Sequence, residues 1–394
     1  MCALPAIEGG VPQRDSMLRY GAPDVDGEDI RAVNEVLKSS WLTTGPKVSE
    51  FEELFAAKVN VADAIAVSSG TAAIHTALAS LDLKKNDEVI LPSMTFLATA
   101  NCVVHCGAKP VFADIEPSTL LISAEDIRKK ITKNTRAIIA VDFAGQPCSY
   151  DKLYKLIEEF GLILIADACH SLGASYKAKS VGGLADLTAF SFHPVKHITT
   201  AEGGMLTSLE RNSTKFAYQF RNHGIDLDAV SRNKQQTWSY DMQMPGFNYR
   251  LSDMQCALGI SQLRKLDHFV SKRRKIAQYY FDAFGGFDLL KPLKKLPDRV
   301  HSYHLFVVQL NLHKLSASRS HIFKALLQEG IGVNVHYTPV HQQSFYQDNY
   351  ESKCINTDDV YKRILSLPIH PIMQVNDVTD VVQAVKKVLS YYAV

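Results

Sequence analysis

Residues 162–167, LILIAD, form a run of Leu and Ile that closes on a carboxylate; residues 185–192, ADLTAFSF, form a second strand-like run, followed by HPVKHITTAEGG at 193–204. Continuous apolar runs of this length read as strands buried on both faces, as in a parallel sheet covered by helices. Pro194 ends the second strand, because proline lacks the N–H that a ladder requires. Asp167 and Lys196 therefore stand near two strand ends, which in an open α/β sheet face the ligand crevice.

The neighbouring sequence alternates in the same way. Residues 64–83 (AIAVSSGTAAIHTALASLDL) read as strand, tight turn and helix, and 88–115 as a βαβ unit ending in PVFADI. A helix at 122–131 has Ser123 as its N-cap. A buried strand at 136–145 and a helix at 149–160 precede LILIAD. Asp114 also ends a strand, but no partner motif accompanies it, so it reads as structural. Further upstream, Ile30, Val33, Val36 and Leu37 recur at helical spacing, and a second helix follows the Gly45-Pro46 turn. The expected fold class is α/β with a mainly parallel sheet.

Beyond the lysine loop, 215–225 reads as a helix ending at Gly224 and 226–246 as a long polar loop. Residues 251–284 are strongly helical with Ser252 as cap. A strand at 304–310, a helix at 318–330, a strand at 332–340 and a helix at 377–389 complete the chain. At 394 residues the chain exceeds one ordinary core. The expected division is 1–17 as a flexible lead without periodicity, 18–265 as a large domain and 266–394 as a small C-terminal α/β domain.

Composition narrows the functional classes. A net charge of +2 offers no field for nucleic acid, so any anionic ligand must be held by local groups. The seven cysteines are odd in number and scattered, without a C-x-x-C pair, and read as reduced thiols rather than disulfides or metal ligands. No metal is expected. No apolar run approaches the roughly 20 residues of a membrane helix, and the first residues lack a charged-then-apolar leader. The cytoplasm is the expected compartment. G-x-G-x-x-G is absent, which counts against a nicotinamide-binding unit.

The amine and the acid have a shared chemical use. A lysine whose pKa falls from about 10.4 through desolvation or a nearby cation can capture a carbonyl. Pyridoxal phosphate requires such a lysine for its aldehyde and an acid to keep its ring nitrogen protonated. A solvated loop lysine is the plain alternative, and Asp167 is what argues against it.

SFHPVKHITTAEGG, DACHSLG, SSGTAA, PSMTFLATAN and GFNYRLSDMQCALGISQL together resemble the DegT/DnrJ/EryC1/StrS family of pyridoxal-phosphate-dependent nucleotide-sugar aminotransferases, from about Leu18 to the C-terminus. The resemblance implies a fold-type-I aminotransferase with Lys196 as cofactor anchor and Asp167 at the ring nitrogen. It implies Ser69, Gly70 and Thr71 around the cofactor phosphate, Ser191 as a further cofactor contact, Phe96 stacked on the ring and His170 near the phenolic oxygen. Asn248 would be donated across a homodimer to the partner's cofactor phosphate, and part of 226–246 would reach the neighbouring subunit. Tyr20, Trp41, Thr43, Arg250, His336 and Tyr337 would meet the sugar nucleotide. From the residues alone, Ser-Gly-Thr before a helix can be only a cap, Trp41, Phe96 and His170 can be packing residues, and Arg250 can serve an internal ion pair.

Within the family, VDFAG, SFHPVKHITTAEGG, GFNYRLSDMQCALGISQLRKL and VNVHYTPVHQQSFY most resemble the UDP-4-keto-sugar transaminases of pseudaminic acid synthesis. That implies an amino acid donor, by family habit glutamate, and pyridoxamine phosphate as the intermediate cofactor form. The sugar dehydratases of the family resemble this sequence with histidine in place of the lysine. A non-catalytic regulator would lack the amine or the acid. An aminotransferase for another nucleotide sugar keeps both.

Overall fold

The computed structural model describes residues 4–209, 211–228, 232 and 234–394. Its centre is a seven-stranded sheet of β1 (Asp63–Val67), β2 (Glu88–Pro92), β3 (Lys109–Ala113), β4 (Thr135–Val141), β5 (Ile163–Asp167), β6 (Leu187–Ser191) and β7 (Gly204–Ser208), in the order β1-β7-β6-β5-β4-β2-β3. β2–β3, β2–β4, β4–β5 and β5–β6 pair in parallel, and only β7 runs against its neighbours β1 and β6. The period of two along each strand sends alternate side chains to opposite cores. Ile139 and Ile165 enter the core beneath α3 (Gly70–Ala79), α4 (Leu97–His105) and α7 (Arg211–Phe220). Ile138 and Leu164 enter the core beneath α2 (Pro46–Val59), α5 (Ala124–Lys130), α6 (Tyr150–Phe160) and α8 (Asp253–Phe284). Helices on both faces explain why LILIAD carries no polar alternation.

α8 begins at Ser252, whose hydroxyl accepts from Gln255 N at 3.3 Å while Gln255 Oε1 accepts from Ser252 N, a reciprocal capping box. Cys256 to Val270 of α8 lie in the large core, and Ile276 to Phe284 lie in a separate core with α9 (Arg319–Gln328), α10 (Val375–Tyr391) and an antiparallel sheet. That sheet has β8 (Leu290–Pro292), β9 (Phe306–Leu310) and β10 (Ile364–Leu367) in chain order.

Three local expectations change. Residues 4–17, read as a flexible lead, are docked on the smaller core: Arg14 ion-pairs with Asp377 and Asp380, and the buried Glu329 carboxylate accepts from Ala6 N and Gln13 N. Polar anchoring of this kind leaves no periodicity to read. Residues 1–3 of that lead lie outside the described residues, as do 229–231 and 233 of the long loop. Residues 332–340 form no strand; the segment makes isolated bridges at Ile331 and Asn334 and then turns to send His336 and Tyr337 inward. Ser123 precedes α5 but makes no side-chain cap, its hydroxyl donating to Glu116 instead. Asp114 is structural as read, accepting from Asn356 N, Thr357 N and the Thr357 hydroxyl.

Candidate active site

The C-terminal ends of the parallel strands carry the candidate residues. β5 ends at Asp167, which is buried; its Oδ2 accepts from Thr99 Oγ1 at 2.7 Å and its Oδ1 from Cys169 N at 3.2 Å. Thr95 Oγ1 in turn lies 2.8 Å from Thr99 Oγ1, so the acid is oriented by a short hydroxyl chain. After β6 the chain forms a loop tied at its base by Phe192, whose N–H donates to Gly203 O and whose carbonyl accepts from Thr200 N. Lys196 projects from that loop, with Nζ 3.5 Å from His304 Nε2.

Burial lowers the Lys196 pKa; Cys169 and Asp167 oppose the shift, and Arg273 adds to it. A lysine drawn toward its free base is what carbonyl capture and proton abstraction both need. Around it, burial holds His170, His197 and His304 well below the usual imidazole range, with the Lys196 charge as a further cause for all three. His336 is pushed down to about 3, by burial first and Lys196 second. The imidazoles are therefore neutral hydrogen-bonding groups at neutral pH.

Tyr337 links the two sides of the site. Its hydroxyl lies 3.0 Å from His170 Nε2, and its ring centroid is 5.7 Å from that of Phe96. Burial raises the Tyr337 pKa, so it stays a phenol that can donate to Nε2. With Tyr337 as the donor, the His170 proton lies on Nδ1, which is buried and has no hydrogen-bond partner among the described residues. His304, whose ring packs 4.3 Å from that of His170, likewise has a buried Nδ1 without a hydrogen-bond partner among the described residues. The Tyr20 ring packs at a tilt 5.4 Å from that of His336, whose Nδ1 is 2.8 Å from Ser366 Oγ. Phe96 is 55% exposed, an open aromatic face beside these groups.

The opposite end is built from α3. Ser69 is its N-cap and accepts from Ala72 N at 3.0 Å, leaving the first N–H groups of Gly70 and Thr71 without an intrahelical acceptor. A Cβ on Gly70 would lie 2.8 Å from Ser191 Cβ and 2.9 Å from Cys169 Sγ, so this glycine allows the helix start to close on β6 and on the residue two beyond Asp167. Ser69, Gly70, Thr71, Ser191 and Asp167 thus share one neighbourhood. Such a helix start suits a phosphate.

The remaining expected residues lie further out. Asn248 is exposed, bridged to Asn222, and Arg250 donates to Asn222 Oδ1 at 2.6 Å. Between them the Tyr249 carbonyl accepts from Ser68 N, which sets this strip beside the start of α3. Trp41 and Thr43 are exposed on a turn held to α8 by Gly45 N donating to Asp253 and by a bridge between Thr43 and Ser252. Three residues that the sequence reading does not single out complete the cluster: Thr99, His304 and Arg273. Of these, only Thr99 lies within one of the sequence motifs, PSMTFLATAN, three residues after Phe96 at the start of α4. His304 and Arg273 arrive from distant segments and leave no local signal.

The residues present fit pyridoxal phosphate. An unpartnered donor on His170, an oriented acid, a lysine biased toward its free base and a phosphate-ready helix start meet around an open aromatic face. Comparison with known proteins agrees: the profile of the DegT/DnrJ/EryC1/StrS aminotransferase family matches residues 23–386.

The chain belongs to that family.

It is 38% identical over 385 residues to the spore coat polysaccharide biosynthesis protein SpsC of Bacillus subtilis, covering 96% of this chain and 99% of that one. Helicobacter pylori PseC, an aminotransferase involved in the biosynthesis of pseudoaminic acid, superposes with a TM-score of 0.90 at 31% identity, over 96% of this chain and 100% of PseC. Streptococcus pneumoniae Spr1654 in its PMP form superposes with a TM-score of 0.89 at 29% identity, over 95% of this chain and 100% of that one, and its PLP form gives the same score. The chain is thus a fold-type-I, pyridoxal-phosphate-dependent sugar aminotransferase. Among the described residues no helix is long and apolar enough to cross a membrane.

Proposed function

We propose that this aminotransferase moves an amino group from glutamate to the C4 ketone of a UDP-linked 2-acetamido-2,6-dideoxy-4-keto-hexose, for pseudaminic-acid-type or related surface sugars. The observation that carries the reading is the gathering of Lys196, Asp167 and the His170–Tyr337 pair beside the strand ends. The likeness to PseC and SpsC supports the surface-sugar substrate.

When bound, pyridoxal phosphate supplies an aldehyde for an amine and a ring that accepts electrons. Lys196 would hold the aldehyde, and as a free amine it is placed to take the proton from the donor Cα and to deliver a proton to the sugar C4. Asp167, fixed by Thr99 and Cys169 N, would keep the ring nitrogen protonated. His170 and Phe96 would flank the ring, and Ser69, Gly70, Thr71 and Ser191 would hold the phosphate.

Tyr20, His336 and Tyr337 form the inner wall for the sugar, with Trp41, Thr43 and Arg250 toward the nucleotide. Asn248 serves the phosphate of the second subunit in a homodimer; its exposure in the single chain, with exposed Trp238, Tyr240, Met242 and Phe247 on the same arm, supports an arm that is covered on assembly.

The test is incubation of the purified protein with pyridoxal phosphate, glutamate and a panel of UDP- and dTDP-linked keto sugars, with mass spectrometry of the products. Amination of the UDP-4-keto sugar at a rate at least about tenfold above the dTDP-linked and 3-keto sugars is expected. Preference for another member of the panel would replace the substrate named here.

A further inference from the structure

Arg273, in the middle of α8, is fully buried and has no carboxylate partner among the described residues. Its guanidinium is spent on main-chain carbonyls. Nη1 donates to Ile369 O at 2.8 Å and to Tyr303 O and His304 O at 3.3 Å each; Nη2 donates to Val195 O and Lys196 O at 3.4 Å each. Nε has no partner. Burying an uncompensated charge costs several kcal/mol, and an apolar side chain of similar volume would ordinarily be at least as stable in such a place. Among the five carbonyls it grips are those of Lys196 and His304, the two residues whose side chains meet at the site, and that of Ile369 in the smaller core.

We propose that Arg273 is a positioning residue for the amino transfer: one guanidinium holds the main chain of Lys196 and His304 together, fixing amine against imidazole, and places an uncompensated positive charge behind the amine. The inference rests on Lys196 being the cofactor lysine.

Lys196 faces Asp167 and Cys169 from the end of β5, His170 beyond them, His304 from the segment before β9, His336 from the inward turn, His197 on its own loop and Arg273 from α8. The imidazoles are neutral and burial keeps the Cys169 thiol protonated, so among the described groups facing the amine Asp167 carries the charge that favours the ammonium, while Arg273 adds to the larger effect of burial in opposing it. Removing Arg273 leaves burial alone to oppose Asp167. The fork geometry also matters, since a lysine at this position could keep the charge but not reach the Lys196 and Ile369 carbonyls together.

The test uses the full chain as wild type, Arg273→Met and Arg273→Lys. In the cofactor-free proteins, competitive labelling of amines with acetic anhydride is followed from pH 6 to 10, reading the Lys196 peptide by mass spectrometry. Arg273→Met is expected to move the Lys196 midpoint upward by about one pH unit, with labelling about tenfold slower at neutral pH and an unchanged plateau at high pH. Arg273→Lys is expected to keep the wild-type midpoint but lose about tenfold in kcat, with KM for the keto sugar within about twofold.

A merely structural role would lower Tm and speed labelling through exposure. Midpoints and kcat within about twofold of wild type in both variants would overturn the proposal. Should Arg273→Met fail to fold, the kcat of Arg273→Lys decides alone: an unchanged value overturns the proposal and a tenfold loss at constant KM upholds it. Borohydride fixation of pyridoxal phosphate on a residue other than Lys196 in the wild type would instead remove the assignment of the anchor, a separate failure.

Discussion

Two buried charges in this molecule are treated in opposite ways. Glu329, under the N-terminal segment, accepts from Ala6 N, Gln13 N and, at 3.0 Å, Lys387 Nζ, and is ion-paired in full. Among the described residues around Lys196, the amine has one imidazole at 3.5 Å, two imidazole nitrogens have no hydrogen-bond partner, and the nearby guanidinium has only carbonyls. A paired charge ties segments together; unpaired polar groups gathered beside an open aromatic face are left for a ligand to satisfy. The difference separates stability from catalysis within one chain.

The comparison breaks most visibly at Lys196. Lys196→Ala is expected to lose at least about 10⁴-fold in kcat for amino transfer with only a small change in Tm, measured by product formation and thermal unfolding. At Glu329 the outcome reverses: Glu329→Ala leaves the Lys387 ammonium unpaired and should cost about 3–5 kcal/mol in denaturant unfolding while kcat stays within about twofold. Asp167→Asn should bind cofactor yet slow proton transfer by at least about two orders of magnitude, about 3 kcal/mol of barrier, in single-turnover kinetics.

A third buried charge sharpens the contrast. Asp142 accepts from Cys148 N, Tyr150 and Ser171, yet burial lifts its pKa to about 6, with those hydrogen bonds opposing the shift. Its folded pKa exceeds the unfolded value, so the native state holds the extra proton and stability falls as pH rises from about 4 to about 6. Chemical denaturation across that range should show a loss of up to about 3 kcal/mol that Asp142→Asn abolishes.

The strand ends were readable because burial on both faces leaves an uninterrupted apolar run, and Asp167 and the Pro194 stop then mark where β5 and β6 release the chain. The cap of α8 was readable for a similar reason, since Ser252 and Gln255 act locally. His304 and Arg273 were not, because their roles exist only once α8 and the segment before β9 close over the lysine loop. Residues 4–17 escaped reading because hydrogen bonds to Glu329 and ion pairs to α10, rather than a periodic apolar face, hold them. The inward turn at His336 and Tyr337 was misread as strand because β-branched and aromatic residues suit both; only the motif likeness placed those two side chains at the site.

The account stands on Lys196 and Asp167 serving one cofactor ring. A crystal structure of the protein with pyridoxal phosphate tests this most directly. It should show the Lys196 amine joined to the cofactor aldehyde carbon and an Asp167 oxygen within about 3 Å of the ring nitrogen. A cofactor bound elsewhere, or a ring nitrogen facing any group other than Asp167, would contradict it.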